Sequence, residues 1–226
     1  MRARATGNTS LIGLILAAAG SGSRFGSSVP KQFLPLDGVP IYFHSLDIFE
    51  PLVNQAVIVV PSRWKDQVYQ ETRDSWGADR IRVEEGGEHR QDSVRRGLAS
   101  LPAVDIILIH DAARPFVTGG LISRVIDETR RTGACVPGLP ISETVKQVRN
   151  STVVQTLDRN SLVLVQTPQG FQREVLAKAI EKACEEGFYG TDEAVLVERS
   201  GHPVAVIPGE PGNIKITVKR DLSGRS

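Results

Sequence analysis

The sequence predicts an α/β fold, a Rossmann-like, mostly parallel twisted sheet with helices on both faces and a protruding β-hairpin arm. Three observations carry that expectation. Short runs rich in Ile, Val and Leu alternate with amphipathic stretches along most of the chain, the pattern of a parallel sheet covered on both faces. A glycine-rich turn, Gly20-Ser-Gly22-Ser-Arg24-Phe-Gly26, follows the first apolar run directly. Residues 139–160, by contrast, alternate polar and β-branched side chains around Arg149-Asn150-Ser151, a hairpin signature with little core for either face.

Each element has its own warrant. Residues 11–18, 56–60, 81–85 and 106–110 are apolar runs of strand length and read as buried strands. Between them, 41–49, 64–75 and 91–100 carry helical periodicity. After Pro115 a helix is expected near 121–131, then a strand at 134–137. Beyond the hairpin, 174–186 and 191–200 read as helices, and 204–207 and 214–218 as strands. The organisation is therefore one domain over 11–222 with its arm at about 139–160, a flexible tail at 1–10 and a short tail at 223–226. An arm with so little core needs something to pack on, and a second copy of the chain is the simplest candidate.

Composition narrows the class. A chain of 226 residues can bury a substantial core, and a hydrophobic fraction of 40% with 23% charged residues is ordinary for a globular protein. The formal net charge of +1 gives no polyanion-coating surface, so no nucleic-acid partner is expected. Cys135 and Cys184 lack CxxC spacing and read as two reduced thiols in a cytoplasmic protein. Met1-Arg-Ala-Arg followed by an apolar run ending in Ala17-Ala18-Ala19 imitates a secretory signal peptide. Reading the run as a buried strand entering a phosphate loop accounts for the GSGSRFG that follows, and no other stretch approaches the about 20 apolar residues of a membrane span.

Three segments carry chemistry. In the first, glycines let backbone N–H groups approach a polyphosphate without a Cβ in the way. The spacing Gly20-x-Gly22-x-x-x-Gly26 is one residue too long for the dinucleotide fingerprint, and Lys31 follows Pro30, so it is no Walker loop. It adds two cations, Arg24 and Lys31, which suit a triphosphate; an ordinary strand–helix turn with two solvated cations is the competing reading. In the second, Asp111 falls just past the apolar run 106–110. In open α/β sheets ligands bind outside the carboxyl ends of the strands, so this carboxylate is placed to hold Mg²⁺ or another divalent cation with a polyphosphate; a helix N-cap is the alternative. The third, Glu85-Gly86-Gly87-Glu88-His89-Arg90-Gln91-Asp92-Ser93, suits contact with a nucleobase or ribose, and taken alone is weak. His110 reads as a packed strand-end residue without a catalytic role.

Together these segments resemble the 2-C-methyl-D-erythritol 4-phosphate cytidylyltransferase family, the CTP-using enzymes of the non-mevalonate isoprenoid pathway. LAAAGSGSRFG with PKQF, EGGEHRQDSV, HDAARP, TLDRN, TPQGF, TDEA and NIKIT carry the resemblance over about 11–222. It implies that Ala17, Ala18, Ala19 and Gly20 wrap the triphosphate, and that Gly87, Glu88 and Ser93 contact cytosine and ribose. Glu88 stands where the family often has Asp. Asp111 and Ala112 complete the CTP site. Arg24 and Lys31 match the transition-state stabilisers, while Arg159, Thr167, Thr191 and Lys215 match the positions holding the acceptor phosphate, with Arg159 and Lys215 counted among the catalytic groups. The resemblance also implies a homodimer in which the arm crosses a two-fold axis and brings Arg159 to the neighbouring site. Relatives usually run on after Asp221-Leu222, so the closing Ser-Gly-Arg-Ser226 reads as a truncated or added end.

The implied chemistry is in-line attack of an acceptor phosphate oxygen on the α-phosphorus of CTP. That nucleophile is already anionic, so positioning and charge neutralisation matter more than a general base. Ribitol 5-phosphate cytidylyltransferase shares the HDA-x-RP and TPQ-F segments, but more often has Gly-Gly at Ala18-Ala19. A non-catalytic nucleotide-binding module is the alternative from another class, and the pairing of Arg24 with Lys31 argues against it.

Overall fold

A computed structural model describes residues 10–20, 29–218 and 220–223. In chain order the elements are β1 (Ile12–Ala17), β2 (Pro35–Leu36), β3 (Val39–Pro40), α1 (Ile41–Phe49), β4 (Gln55–Val60), α2 (Lys65–Trp76), β5 (Ile81–Glu85), α3 (Arg90–Ser100) and β6 (Ile106–Asp111). There follow α4 (Gly119–Thr132), β7 (Ala134–Pro140), β8 (Val145–Arg149), β9 (Thr152–Leu157), β10 (Val163–Val165), β11 (Gln169–Gln172), α5 (Arg173–Glu185), α6 (Glu193–Arg199), β12 (Ala205–Pro208) and α7 (Arg220–Ser223).

The main sheet runs β10-β7-β11-β6-β1-β4-β5, with β12 added on β7. Its centre is parallel: β1 lies between β4 and β6, and β5 continues from β4. Strand alternation sorts the core into two layers. Leu14 and Leu16 of β1 point to the face covered by α1, α2 and α4, where Tyr42, Leu46, Trp76 and Val125 are buried with them. Ile15 points to the opposite face, against Val94 of α3, Leu176 of α5 and Leu196 of α6. Gly97 lets α3 lie close: a Cβ there would come 2.9 Å from Ile15 and 3.0 Å from Val59.

The structure departs from the sequence reading in three places. Residues 214–218 form no strand; the segment meets the strand-end loop through one backbone bond, from Ile216 N to Ala113 O at 2.8 Å. The antiparallel strand β11 lies between β6 and β7, and the short strand β10 also pairs antiparallel with β7. With Gln169, Gly170 and Gln172 around a single Phe171, β11 lacks the apolar run that marks a buried strand. Asp111 is the last residue of β6, in register with Ala17, and is no helix cap, because α4 starts later and takes Thr118 as its cap. The arm is present: β8 and β9 pair only with each other, around Asn150 and Ser151 at φ 48° and 61°, the left-handed pair of a two-residue hairpin turn.

Candidate functional site

The carboxyl ends of β1 and β6 and the amino end of α3 open onto a cavity of about 440 Å³. Its first wall is the loop after β1. Ala18 N donates to Val59 O at 2.8 Å, tying the loop to the neighbouring strand. Buried Gln32 then reaches across with its amide, donating to Ala18 O at 2.5 Å and to Gly20 O at 3.0 Å. With both carbonyls drawn toward Gln32, the peptide units about Ala19 are fixed in orientation, while Ala19 and Gly20 line the cavity. Gln32 belongs to the 3₁₀ turn Lys31–Phe33, anchored by Phe33 stacked on Trp64 at 4.2 Å, and this turn brings Lys31 to the cavity.

The second wall is the turn into α3. Gly86 N donates to Val60 O at 2.8 Å, and its lack of a Cβ lets the turn close directly on Ala19. Gly87 N donates to Ser93 Oγ at 3.0 Å, Ser93 Oγ donates to His89 O at 3.1 Å, and Asp92 accepts from His89 N at 3.1 Å. These bonds hold Gly87, Glu88 and His89 at the cavity around the positive end of a helix dipole, an environment that favours an anion. Gln91 joins this turn to the α5–α6 loop, donating to Phe188 O and accepting from Gly190 N, both at 3.0 Å.

The third wall is Asp111 with its cations. Lys215 Nζ lies 2.7 Å from Asp111 Oδ2, Arg90 Nη2 lies 3.5 Å from Oδ1, and Arg114 Nε lies 3.8 Å from Oδ2. Burial opposes ionisation of Asp111, but Arg90, Lys215 and Arg114 more than offset it and hold the carboxyl well below its usual range. Arg90 in turn is held above its ordinary range: burial works against its charge, and Glu193 and Asp111 outweigh it. His110, fully buried against Phe49, is pulled by burial down to about 4 and stays neutral at neutral pH. Its Nδ1 meets Thr167 Oγ1 at 3.1 Å, and Thr167 Oγ1 accepts from Asp111 N at 3.1 Å.

The sequence-predicted residues divide accordingly. Ala17, Ala19, Gly20, Lys31, Gly87, Glu88, Ser93, Asp111 and Lys215 come together around the cavity. Ala18 and Ala112 are buried and do not line it. Thr167 stands behind Asp111 as its support and does not line the cavity, and neither does Thr191, which precedes the α6 cap Asp192. Arg159 sits beyond the arm, where its guanidinium donates to Ser142 O, outside this chain's own cavity. Arg24 lies outside the described residues, as do Gly22 and Gly26. Among the described residues no cluster of three or more His, Cys, Asp or Glu could hold a metal, and no helix is long and apolar enough to cross a membrane. Arg90, Gln32, His89 and Glu193 were not singled out from the sequence. Each stands inside a quoted motif, but the pairing of Arg90 with Glu193 spans 103 positions and has no local signature.

Comparison with known proteins converges on one family. The family model described as 2-C-methyl-D-erythritol 4-phosphate cytidylyltransferase matches residues 12–224. Enzymes of that name from Acidobacterium capsulatum and Syntrophus aciditrophicus are 41% and 43% identical to this chain, over 92% of it in both cases and 93% and 91% of their own lengths. The crystal structure of the Thermus thermophilus enzyme superposes with a TM-score of 0.76 at 33% identity, covering 95% of this chain and 96% of the other. That of the Anaerococcus prevotii 4-diphosphocytidyl-2C-methyl-D-erythritol synthase superposes with a TM-score of 0.83 at 27% identity, covering 95% of each chain.

Proposed function

The chain belongs to the 2-C-methyl-D-erythritol 4-phosphate cytidylyltransferase family, and on that premise we propose how its cavity performs the reaction. The protein is a CTP-dependent nucleotidyltransferase of the methylerythritol phosphate route to isoprenoids. The observation that carries the site assignment is convergence: the β1 loop, the amino end of α3 and the Asp111–Lys215 pair meet around one cavity.

In this reading the β1 loop takes the triphosphate through backbone N–H groups of Ala19 and Gly20, shaped by Gln32. Gly87, Glu88 and Ser93 take the cytosine and ribose. An oxygen of the acceptor phosphate attacks the α-phosphorus; the new P–O bond forms as the bond to the β-phosphate oxygen breaks, and pyrophosphate departs with that electron pair. Lys31, joined by Arg24 from outside the described residues, neutralises the charge that gathers on the five-coordinate α-phosphorus. Lys215, aligned by Asp111, and Arg159 hold the acceptor phosphate, with Thr167 and Thr191 supporting its surroundings.

Asp111 offers a single carboxylate, shared with Lys215 and Arg90. That fits a Mg²⁺ held mainly by nucleotide phosphate oxygens with one protein ligand, as is usual for this ion, and does not fit a cage built from protein alone. Bound there, Mg²⁺ supplies charge neutralisation on the leaving pyrophosphate. The working unit in this reading is a homodimer. Val148, Val153 and Val154 of the arm are all more than half exposed, and Arg159 beside them lies away from its own cavity, which supports exchange of arms between two copies. The two cysteines are unpaired, which suits a cytoplasmic location.

Pyrophosphate release from each nucleoside triphosphate with each of two acceptors tests the assignment. CTP with methylerythritol 4-phosphate is expected to give the highest kcat/KM, and release to depend on Mg²⁺. Preference for ribitol 5-phosphate would transfer the chain to that activity.

A further inference from the structure

Glu193 is a buried charge that the mechanism above does not use. It is 1% exposed, at the start of α6, and does not line the cavity. It is not needed as the helix cap, because Asp192 accepts from Val195 N at 3.1 Å, nor for the core, which α6 reaches through Ala194, Leu196 and Val197. Its carboxylate instead contacts Arg90 Nη1. Arg90 Nη2 lies 3.5 Å from Asp111 Oδ1, and Asp111 Oδ2 lies 2.7 Å from Lys215 Nζ. A row of alternating charge thus runs from inside α6 to the cavity wall. Burying an ion pair is a poor way to gain stability compared with apolar packing, so its value lies in what it orders.

We propose that Glu193 is a positioning residue for the acceptor end of the reaction: by holding one nitrogen of Arg90 it keeps that guanidinium from closing on Asp111, and so leaves Asp111 to orient Lys215. The inference rests on the functional reading above and deepens it. Without the Glu193 charge, Arg90 is free to take Asp111 in the two-pronged geometry that guanidinium and carboxylate prefer. Lys215 then competes for the same oxygens and loses its alignment.

A double-mutant cycle on the full-length chain separates this role from a merely structural one. Glu193→Gln, nearly isosteric, is expected to lower kcat/KM for methylerythritol 4-phosphate about tenfold, a usual cost of losing the shell behind a working group. In a Lys215→Ala background the same substitution is expected to cost less than about twofold. An equal loss in both backgrounds, or no loss in the first, overturns the inference. Should Glu193→Gln fail to fold, Glu193→Met carries the same test, since it fills a similar space without the charge and leaves the Arg90 guanidinium in place; the same non-additivity is expected, and additivity overturns the inference. Absence of pyrophosphate release by the unaltered chain would sink the functional reading, and this inference with it, before any substitution is made.

Discussion

At the scale of residues, neighbours in the sequence do opposite work. His110 and Asp111 close the same strand, yet burial keeps the imidazole neutral while Arg90, Lys215 and Arg114 keep the carboxylate charged. The pH dependence follows from the sign of each shift. The folded chain binds a proton on His110 only near pH 4, whereas an unfolded chain binds one near its ordinary 6.5. The stability due to neutral His110 is therefore complete above about pH 6.5 and is lost as pH falls toward 4. Asp111, depressed, acts in the same sense lower down: its contribution is present above its ordinary value and disappears in stronger acid. Between pH 7 and 4.5 the His110 share amounts to about 2 to 3 kcal/mol. Urea unfolding at those two pH values should show a smaller loss in His110→Gln than in the unaltered chain. Equal losses would mean that His110 takes up its proton over the same pH range in the folded and the unfolded chain.

Gln32 makes a second residue-scale case. Its amide is the donor that both Ala18 O and Gly20 O share. Gln32→Leu keeps the bulk but leaves two carbonyls without that donor, a defect costing about 1–3 kcal/mol for a buried group. The loop would relax, and KM for CTP should rise about tenfold in steady-state kinetics, at 1.4 kcal/mol per decade. An unchanged KM would mean that the loop holds its shape without the amide.

At the scale of elements, the arm is the informative one. A lone two-stranded hairpin is marginal in water, and β8 and β9 gain no partner from the main sheet. Its length and its Asn150-Ser151 turn make sense if it lies on a second copy. Mixing an inactive Arg159→Ala chain with an inactive Lys31→Ala chain should then restore activity, because one of the two sites in the heterodimer draws an intact Lys31 from one subunit and an intact Arg159 from the other. No recovery after demonstrated subunit exchange would place Arg159 in its own subunit's site.

At the scale of the molecule, what was legible in the sequence is what depends on local pattern. The apolar runs became β1, β4 and β6, because a strand buried on both faces cannot avoid being apolar throughout, whereas the edge strand β5 buries Ile81 and Val83 and exposes Arg82 and Glu85. That Gly20, Lys31 and Asp111 would lie near one another could be read from the sequence because the ends of such strands are where ligands bind, and the three line one cavity. What was missed depends on distance. Nothing near β11 announces that a strand of Gln, Gly and Phe will wedge antiparallel between β6 and β7. Residues 214–218 alternate like a strand because Ile216 is buried and its neighbours are not, although the segment crosses the cavity's edge instead of joining the sheet. The Glu193–Arg90–Asp111 row joins three elements, and no window of sequence contains it.

The central claim is that fixed cations around this cavity act on the transition state of cytidylyl transfer more than on CTP binding. Single-turnover kinetics of Lys31→Ala, read beside the dissociation constant for CTP, test it most directly. The account predicts a fall in the chemical step of roughly 10²–10³, as for other preorganised donors, with CTP affinity changed by no more than a few-fold. A chemical step within a few-fold of the unaltered enzyme, or a loss confined to CTP affinity, would contradict it.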